Sequence, residues 1–133
     1  MAETAKPKGG LVAYLSLSGA IKAAEFYKKA FGAELAAMHP PDAQGRTMHV
    51  HLYINGTSLM LGDVYPERGH PLREPAAFTL TLLVEDVDAW YERAVEAGCK
   101  GVMPPSDMFW GDRFATVKDP FGFDWGINGP VRK

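Results

Sequence analysis

The chain repeats itself. Gly32 and Gly98, Gly56 and Gly122, and Met60 and Gly126 all stand 66 positions apart, while Leu17 and Val84, at the ends of the first strands of the two halves, stand 67 apart. This period exceeds the roughly 20–50 residues of a solenoid unit and marks a duplicated module. Each half reads strand, helix, strand, strand, strand. A single such module has a sheet face with no helix to cover it, so the two halves are expected to pair with each other or with another chain.

Local chemistry supports each element. After Ser18-Gly19, the apolar stripe of Ala20, Ile21, Ala23, Ala24, Tyr27, Ala30 and Phe31 has the spacing of a surface helix. Ser18 is the expected N-cap and Gly32 the left-handed stop. A second helix is expected after Asp86, with Val87, Trp90, Tyr91, Ala94 and Val95 inward and Gly98 at its end. Runs of strand length occupy 11–17, 33–38, 47–54, 58–62, 78–84, 101–103, 114–118 and 123–127. Asn55-Gly56 predicts a two-residue hairpin, and Asp119-Pro120-Phe121-Gly122 has the residue preferences of a type I turn. The Pro-, Glu- and Arg-rich stretch 64–76 reads as an exposed linker between module one, about 10–63, and module two, about 77–128, within one domain over 1–133.

With 133 residues, 47% hydrophobic and 23% charged, the chain can bury a core of its own. A net charge of −2 gives no general attraction to nucleic acid or to anionic lipid. No apolar run approaches the about 20 residues of a membrane span, and Met1 to Lys8 lack the apolar region of a secretory signal. One cysteine, Cys99, rules out an intrachain disulfide. A soluble cytoplasmic protein is expected. Cys99 follows a helix end, where the dipole opposes a thiolate, so a nucleophilic role is not expected of it.

The tandem module, together with Ala24-Glu25-Phe26-Tyr27 running to Ala30-Phe31-Gly32-Ala33, Val84-Glu85-Asp86-Val87-Asp88 and Asp119-Pro120-Phe121-Gly122, resembles the glyoxalase/bleomycin-resistance/extradiol-dioxygenase (vicinal oxygen chelate) superfamily. Met48-His49 and Phe109-Trp110-Gly111-Asp112-Arg113 are similar to its PhnB-like subgroup. The likeness runs from about Leu11 to Ile127. It implies an α+β fold: tandem βαβββ modules forming a curved, cup-like mixed sheet with helices on the outer side, completed as a homodimer.

The resemblance also implies where a metal would sit. Enzymes of this family hold a divalent ion with His, Gln or Glu side chains from the first and fourth strands of each module. Carried over position by position, those ligands fall on Val12, Met60, Thr79 and Gly126. Such a set does not suit a hard cation, so no metal or other cofactor is expected.

Binding without a metal then rests on Tyr14, Ser16, Met60, Thr79, Thr81, Trp110, Arg113, Phe114 and Asp124. These are expected to line a mixed apolar and polar cavity for a small organic ligand, as in the drug-sequestering members of this fold. Trp110 would wall the pocket and Arg113 hold an anionic or carbonyl oxygen; alternatively Arg113 pairs with Asp112 and Trp110 fills a core gap. The competing reading is a lyase, isomerase or dioxygenase that uses His49, His51 or Arg113, with or without a relocated metal. His49 and His51 share one face of their strand, and alternation alone leaves that face open. An exposed or dimer-facing placement is preferred, because transferring the register of the last strands through the repeat turns both away from the cavity. His39 and His70 are expected in solvent. No nucleic acid or membrane partner is expected.

Overall fold

A computed structural model describes residues 5–132. The reading of Met1 to Lys8 therefore falls partly outside the described residues. The chain divides between Arg73 and Glu74 into two compact units, and each is described on its own.

The first unit contains β1 (Tyr14–Leu17), α1 (Ala20–Phe31), β2 (Glu34–Met38), β3 (Val50–Ile54) and β4 (Thr57–Asp63). Its sheet has the order β1-β4-β3-β2, with β1 parallel to β4 and the other pairs antiparallel. Asn55 and Gly56 both take positive φ at the β3–β4 turn, as that dipeptide predicts. The second unit repeats the plan with β5 (Leu80–Leu83), α2 (Val87–Ala97), β6 (Lys100–Asp107), β7 (Asp112–Lys118) and β8 (Asp124–Pro130), in the order β5-β8-β7-β6. The fold is thus α+β, with two four-stranded mixed sheets.

In each unit the core lies between one sheet face and the helix. Leu15, Leu17, Val50, Leu52, Ile54, Leu59 and Leu61 are buried on the first sheet, and the α1 stripe of Ala20, Ala23, Ala24, Tyr27, Ala30 and Phe31 is buried too. In the second unit Leu82, Ala115, Val117, Trp125 and Ile127 take that part, with Val87 and Ala94 of α2. Burying each large side chain of this kind contributes about 1.5–3 kcal/mol.

The helix starts differ. Asp86 caps α2 as expected, accepting the Ala89 N–H at 3.0 Å. Ser18 does not cap α1. The N-cap is Gly19, left-handed at φ 93, and it has no side-chain cap of its own. Instead Asp63, at the end of β4, accepts the N–H groups of Gly19 and Ala20 at 2.7 and 3.0 Å. Its second oxygen accepts the Thr47 N–H at 2.8 Å. A carboxylate brought by tertiary structure thus replaces the local hydroxyl, and it also meets the positive end of the helix dipole.

At the second turn Asp119 is buried and fully engaged. Its Oδ1 accepts the Phe121 and Phe123 N–H groups at 2.9 and 3.0 Å, and its Oδ2 accepts the Trp125 indole N–H at 2.9 Å. Strand β6 runs well past the three residues expected, through Pro104-Pro105 and two irregularities of register, as suits an edge strand. The stretch 64–76 is not simply an exposed linker. It contains a short 3-10 turn over Pro66–Arg68 and a bridge between Tyr65 and His70, and Tyr65 is buried.

Candidate functional site

The open face of the first sheet, opposite α1, is set by register. Tyr14 pairs with Met60 and Ser16 with Gly62, while His51 also pairs with Met60. Directly paired residues project to the same side. Tyr14, Ser16, Met60 and His51 therefore share the face away from the helix.

This corrects the surface placement expected for His51, which has no exposed area. The cause is turn length. His51 and its partner Met60 stand nine positions apart, but Thr116 and its partner Gly126 stand ten apart. The Asp119 turn is longer than the Asn55-Gly56 turn by an odd number of residues, so transferring register through the 66-residue repeat inverts the face of the third strand. The His51 Nε2 lies 2.7 Å from the Ser58 hydroxyl, and its ring meets Tyr53 edge-on. The N-terminal segment packs alongside. Lys8 donates its backbone N–H to the Ser58 Oγ and accepts the Ser58 N–H at its carbonyl, while the Tyr53 hydroxyl donates to the Lys6 carbonyl. His49 is half-buried, with its ring stacked on Tyr14 at 5.9 Å.

Tyr14 and Ser16 open into a cleft of about 540 Å³ within the first unit, completed by Met48, Asp63, Val64, Tyr65, Gly69, His70, Pro71 and Arg73. Its construction follows from a few contacts. The Tyr14 hydroxyl lies over Gly62, where a β-carbon would come within 2.6 Å of it, and donates to the Met48 carbonyl at 2.5 Å. Burial, and then the nearby Tyr65 phenol, push the Tyr14 hydroxyl above its ordinary pKa, so it stays a donor at neutral pH. Tyr65 exchanges two backbone hydrogen bonds with His70 at 2.9 and 3.1 Å. The Arg46 guanidinium lies 4.4 Å from the Tyr65 ring centroid and forks onto Glu67 at 3.1 and 2.8 Å. These bonds hold the 65–70 turn as a fixed wall. His70 is exposed, as expected, yet belongs to that wall; His39 is exposed beside a smaller hollow behind Met48 and Tyr65.

The second unit distributes its expected site residues differently. Thr81 pairs with Gly126, which also pairs with Thr116, so these share the face away from α2. Phe114 covers Gly126: a β-carbon there would stand 3.0 and 3.1 Å from its ring and 3.1 Å from the Thr81 hydroxyl. Trp110, half exposed, meets Phe114 edge-on at 5.8 Å. Thr79 is exposed just before β5, and Asp124 lies on the expected face but pairs with Lys118 at 2.9 Å.

Arg113 is a correction to both earlier readings. It alternates with Ala115 and Val117 toward α2, where it donates to Asp88 at 2.8 Å and to Asp107 at 2.9 Å. Neither a cavity anion nor Asp112 is its partner; Asp112 accepts from Asn128 instead. Sequence reasoning identified Tyr14 and Ser16 but missed Met48, Tyr65, His70 and Arg73, which sit in stretches read as strand or linker. The clustered Tyr65-Pro66 and Gly69-His70-Pro71 turn residues were the available signal.

The residues at the family's ligand positions do not fit a divalent cation. Met60 brings a thioether between Tyr14 and His51, and at Gly126 the room a carboxylate arm would need is filled by the Phe114 ring. Among the described residues, no three His, Cys, Asp or Glu side chains come together as a set able to hold a metal.

A paired βαβββ plan with these turns defines a class, and comparison with known proteins gives the family. The profile of the "Glyoxalase/Bleomycin resistance protein/Dioxygenase superfamily" matches residues 18–127, and the chain belongs to that superfamily. It is 40% identical over 127 residues to the uncharacterized protein Rv0887c of Mycobacterium tuberculosis, covering 90% of this chain and 74% of that one. Its fold is similar to that of protein PA1353 from Pseudomonas aeruginosa, with a TM-score of 0.74 at 27% identity, covering 92% of this chain and 98% of the other. The PhnB protein from Bacillus cereus shares the fold, with a TM-score of 0.68 at 20% identity, covering 90% of this chain and 98% of the other. No helix among the described residues is long and apolar enough to cross a membrane.

Proposed function

We propose that this protein binds a small organic molecule in the first-unit cleft and does so without the divalent metal of the family's enzymes. The observation that carries the proposal is Gly126 lying under the Phe114 ring, where a catalytic relative would extend a carboxylate. The cleft supplies the alternative: apolar walls from Tyr14, Met48, Val64, Tyr65 and Pro71, and a few polar groups to orient a ligand. A catalytic role for Arg113 lacks support because two carboxylates already occupy its guanidinium, and His51 is covered on its face. The Phe109-Trp110-Gly111-Asp112-Arg113 stretch favours the PhnB-like subgroup. A cytoplasmic location fits the single buried cysteine, and pairing with a second copy fits the exposed Leu83, Val102, Phe109 and Trp110.

Metal analysis of the desalted protein, followed by thermal shift with divalent ions and with a library of small aromatic compounds, tests the proposal. Expected are no stoichiometric metal, no stabilisation by ions and a rise in Tm with some organic compounds. A ligand at about 100 times its Kd stabilises by about 2.7 kcal/mol, which such an assay resolves. Stoichiometric tightly held metal would overturn the proposal. Light scattering of the eluted peak checks the dimer.

A further inference from the structure

We infer that the ligand of this cleft is an anion, a planar aromatic carboxylate, with its ring along Tyr14 and Met48 and its carboxylate on Arg73. The inference rests on the binding role proposed above and adds the charge of the ligand.

Charge balance around the cleft points this way. Besides the phenols of Tyr14 and Tyr65, its lining residues with ionisable side chains are Asp63, His70 and Arg73. Asp63 is committed to structure, since its two oxygens accept three backbone N–H groups from Gly19, Ala20 and Thr47. Arg73 has no carboxylate partner among the described residues. Arg46, Arg113 and Arg132 are instead held, Arg46 by Asp42 and Glu67, Arg113 by Asp88 and Asp107, and Arg132 by Asp88, while Arg68, which does not line the cleft, lies over the Tyr65 ring. A guanidinium is a fixed fork of donors whose geometry suits a carboxylate, and on the exposed rim of a partly apolar cleft Arg73 favours an anion over a neutral or cationic group. His70, on the same rim, adds a second donor, and its backbone is fixed by the paired hydrogen bonds with Tyr65.

The remaining lining argues for a flat apolar body. The Tyr14 ring is stacked on His49 at an interplanar angle of 25°, and its hydroxyl is tied to Met48, so it offers a fixed face. Beside it, the Met48 thioether packs well against aromatic edges. The volume of about 540 Å³ admits two fused rings with a carboxylate.

Calorimetric titration of the full chain with 2-naphthoate, 2-naphthylmethanol and 2-naphthylmethylammonium at low ionic strength tests the inference. Naphthoate is expected to bind at least tenfold more tightly than the neutral alcohol, and the ammonium weakest. In Arg73→Gln the ratio of naphthoate to alcohol affinity should fall to about one, and Arg73→Lys should restore part of it. Equal binding of all three probes, lost in Tyr14→Leu, would overturn the charge assignment and leave the binding role standing. A naphthoate preference that survives Arg73→Gln would overturn the assignment to this residue. Failure of every probe to bind at millimolar concentration, together with no hit in the aromatic thermal-shift library, would overturn both.

Discussion

The Asp119 turn gives a graded test of what its carboxylate contributes. In Asp119→Asn the side chain keeps its shape. Its single oxygen still accepts the Phe121 and Phe123 N–H groups, but its NH2 now faces the Trp125 indole N–H, which had donated to Oδ2 at 2.9 Å. Flipping the amide only moves the conflict, because two backbone donors would then meet the NH2. One buried donor is stranded either way, at a cost of about 2 kcal/mol. Asp119→Ala strands the buried Phe123 and Trp125 donors together; the Phe121 N–H, part-buried, can turn to water. That loss is about 4 kcal/mol. At roughly 3–4 °C per kcal/mol for a chain of this size, the Tm should fall by about 7 °C in the first variant and about 14 °C in the second. Urea unfolding followed by tryptophan fluorescence, with circular dichroism in parallel, measures both. An Asn variant within about 0.5 kcal/mol of the parent would refute the reasoning, since it would mean that the Trp125 bond contributes nothing net.

Asp88 has its pKa lowered, first by the hydrogen bond from Arg113 and further by Arg132, from an ordinary value of 3.8. Its contribution to stability should be present in full above about pH 4 and lost as pH falls through the lower folded value, so Asp88→Asn should flatten the acid limb of the stability profile; unchanged acid unfolding would count against this. Burial, and then Asp119, push the Cys99 thiol up to about 12, so Ellman's reagent at pH 8 should label it only in urea, and labelling of the native protein within seconds would contradict the structure. Gly62→Ala would place a β-carbon 2.5 Å from the Met48 carbonyl oxygen and 2.6 Å from the Tyr14 hydroxyl, whereas Gly126→Ala meets mainly the Phe114 ring at 3.0 Å. Thermal melts should show the first costing about 1–3 kcal/mol, with loss of cleft binding, and the second clearly less.

Much of this fold was legible because its punctuation is local. Gly32, Gly98, Asn55-Gly56 and the Asp119 turn act through their own backbone conformations, and each ends or links an element where the sequence predicts. What failed was whatever depends on distant parts of the chain. Arg113, three residues after Trp110, reads as a cavity residue or as the partner of Asp112, but strand alternation sends it to the α2 side, where Asp88 accepts from it. His51 was misplaced because the register of a strand depends on the parity of the turn that follows it, and the two modules differ there. Tyr65 looked like linker, yet three arginine and backbone contacts hold it in the wall of the cleft. The site was therefore half readable: the β1 residues followed from alternation, while the wall opposite depended on tertiary packing.

The two helix starts have a consequence for how the chain folds. The carboxylate that starts α2 lies three positions before the N–H it receives, whereas the one that starts α1 comes from 43 and 44 positions downstream. Closing a loop of that length costs entropy that a local cap never meets. On the ribosome, residues 20–31 emerge long before Asp63 does, so the first helix gains its carboxylate cap only once β4 is made and docked, while the second carries its cap from the start. Two halves that share one architecture thereby differ in how early their helix starts can be satisfied.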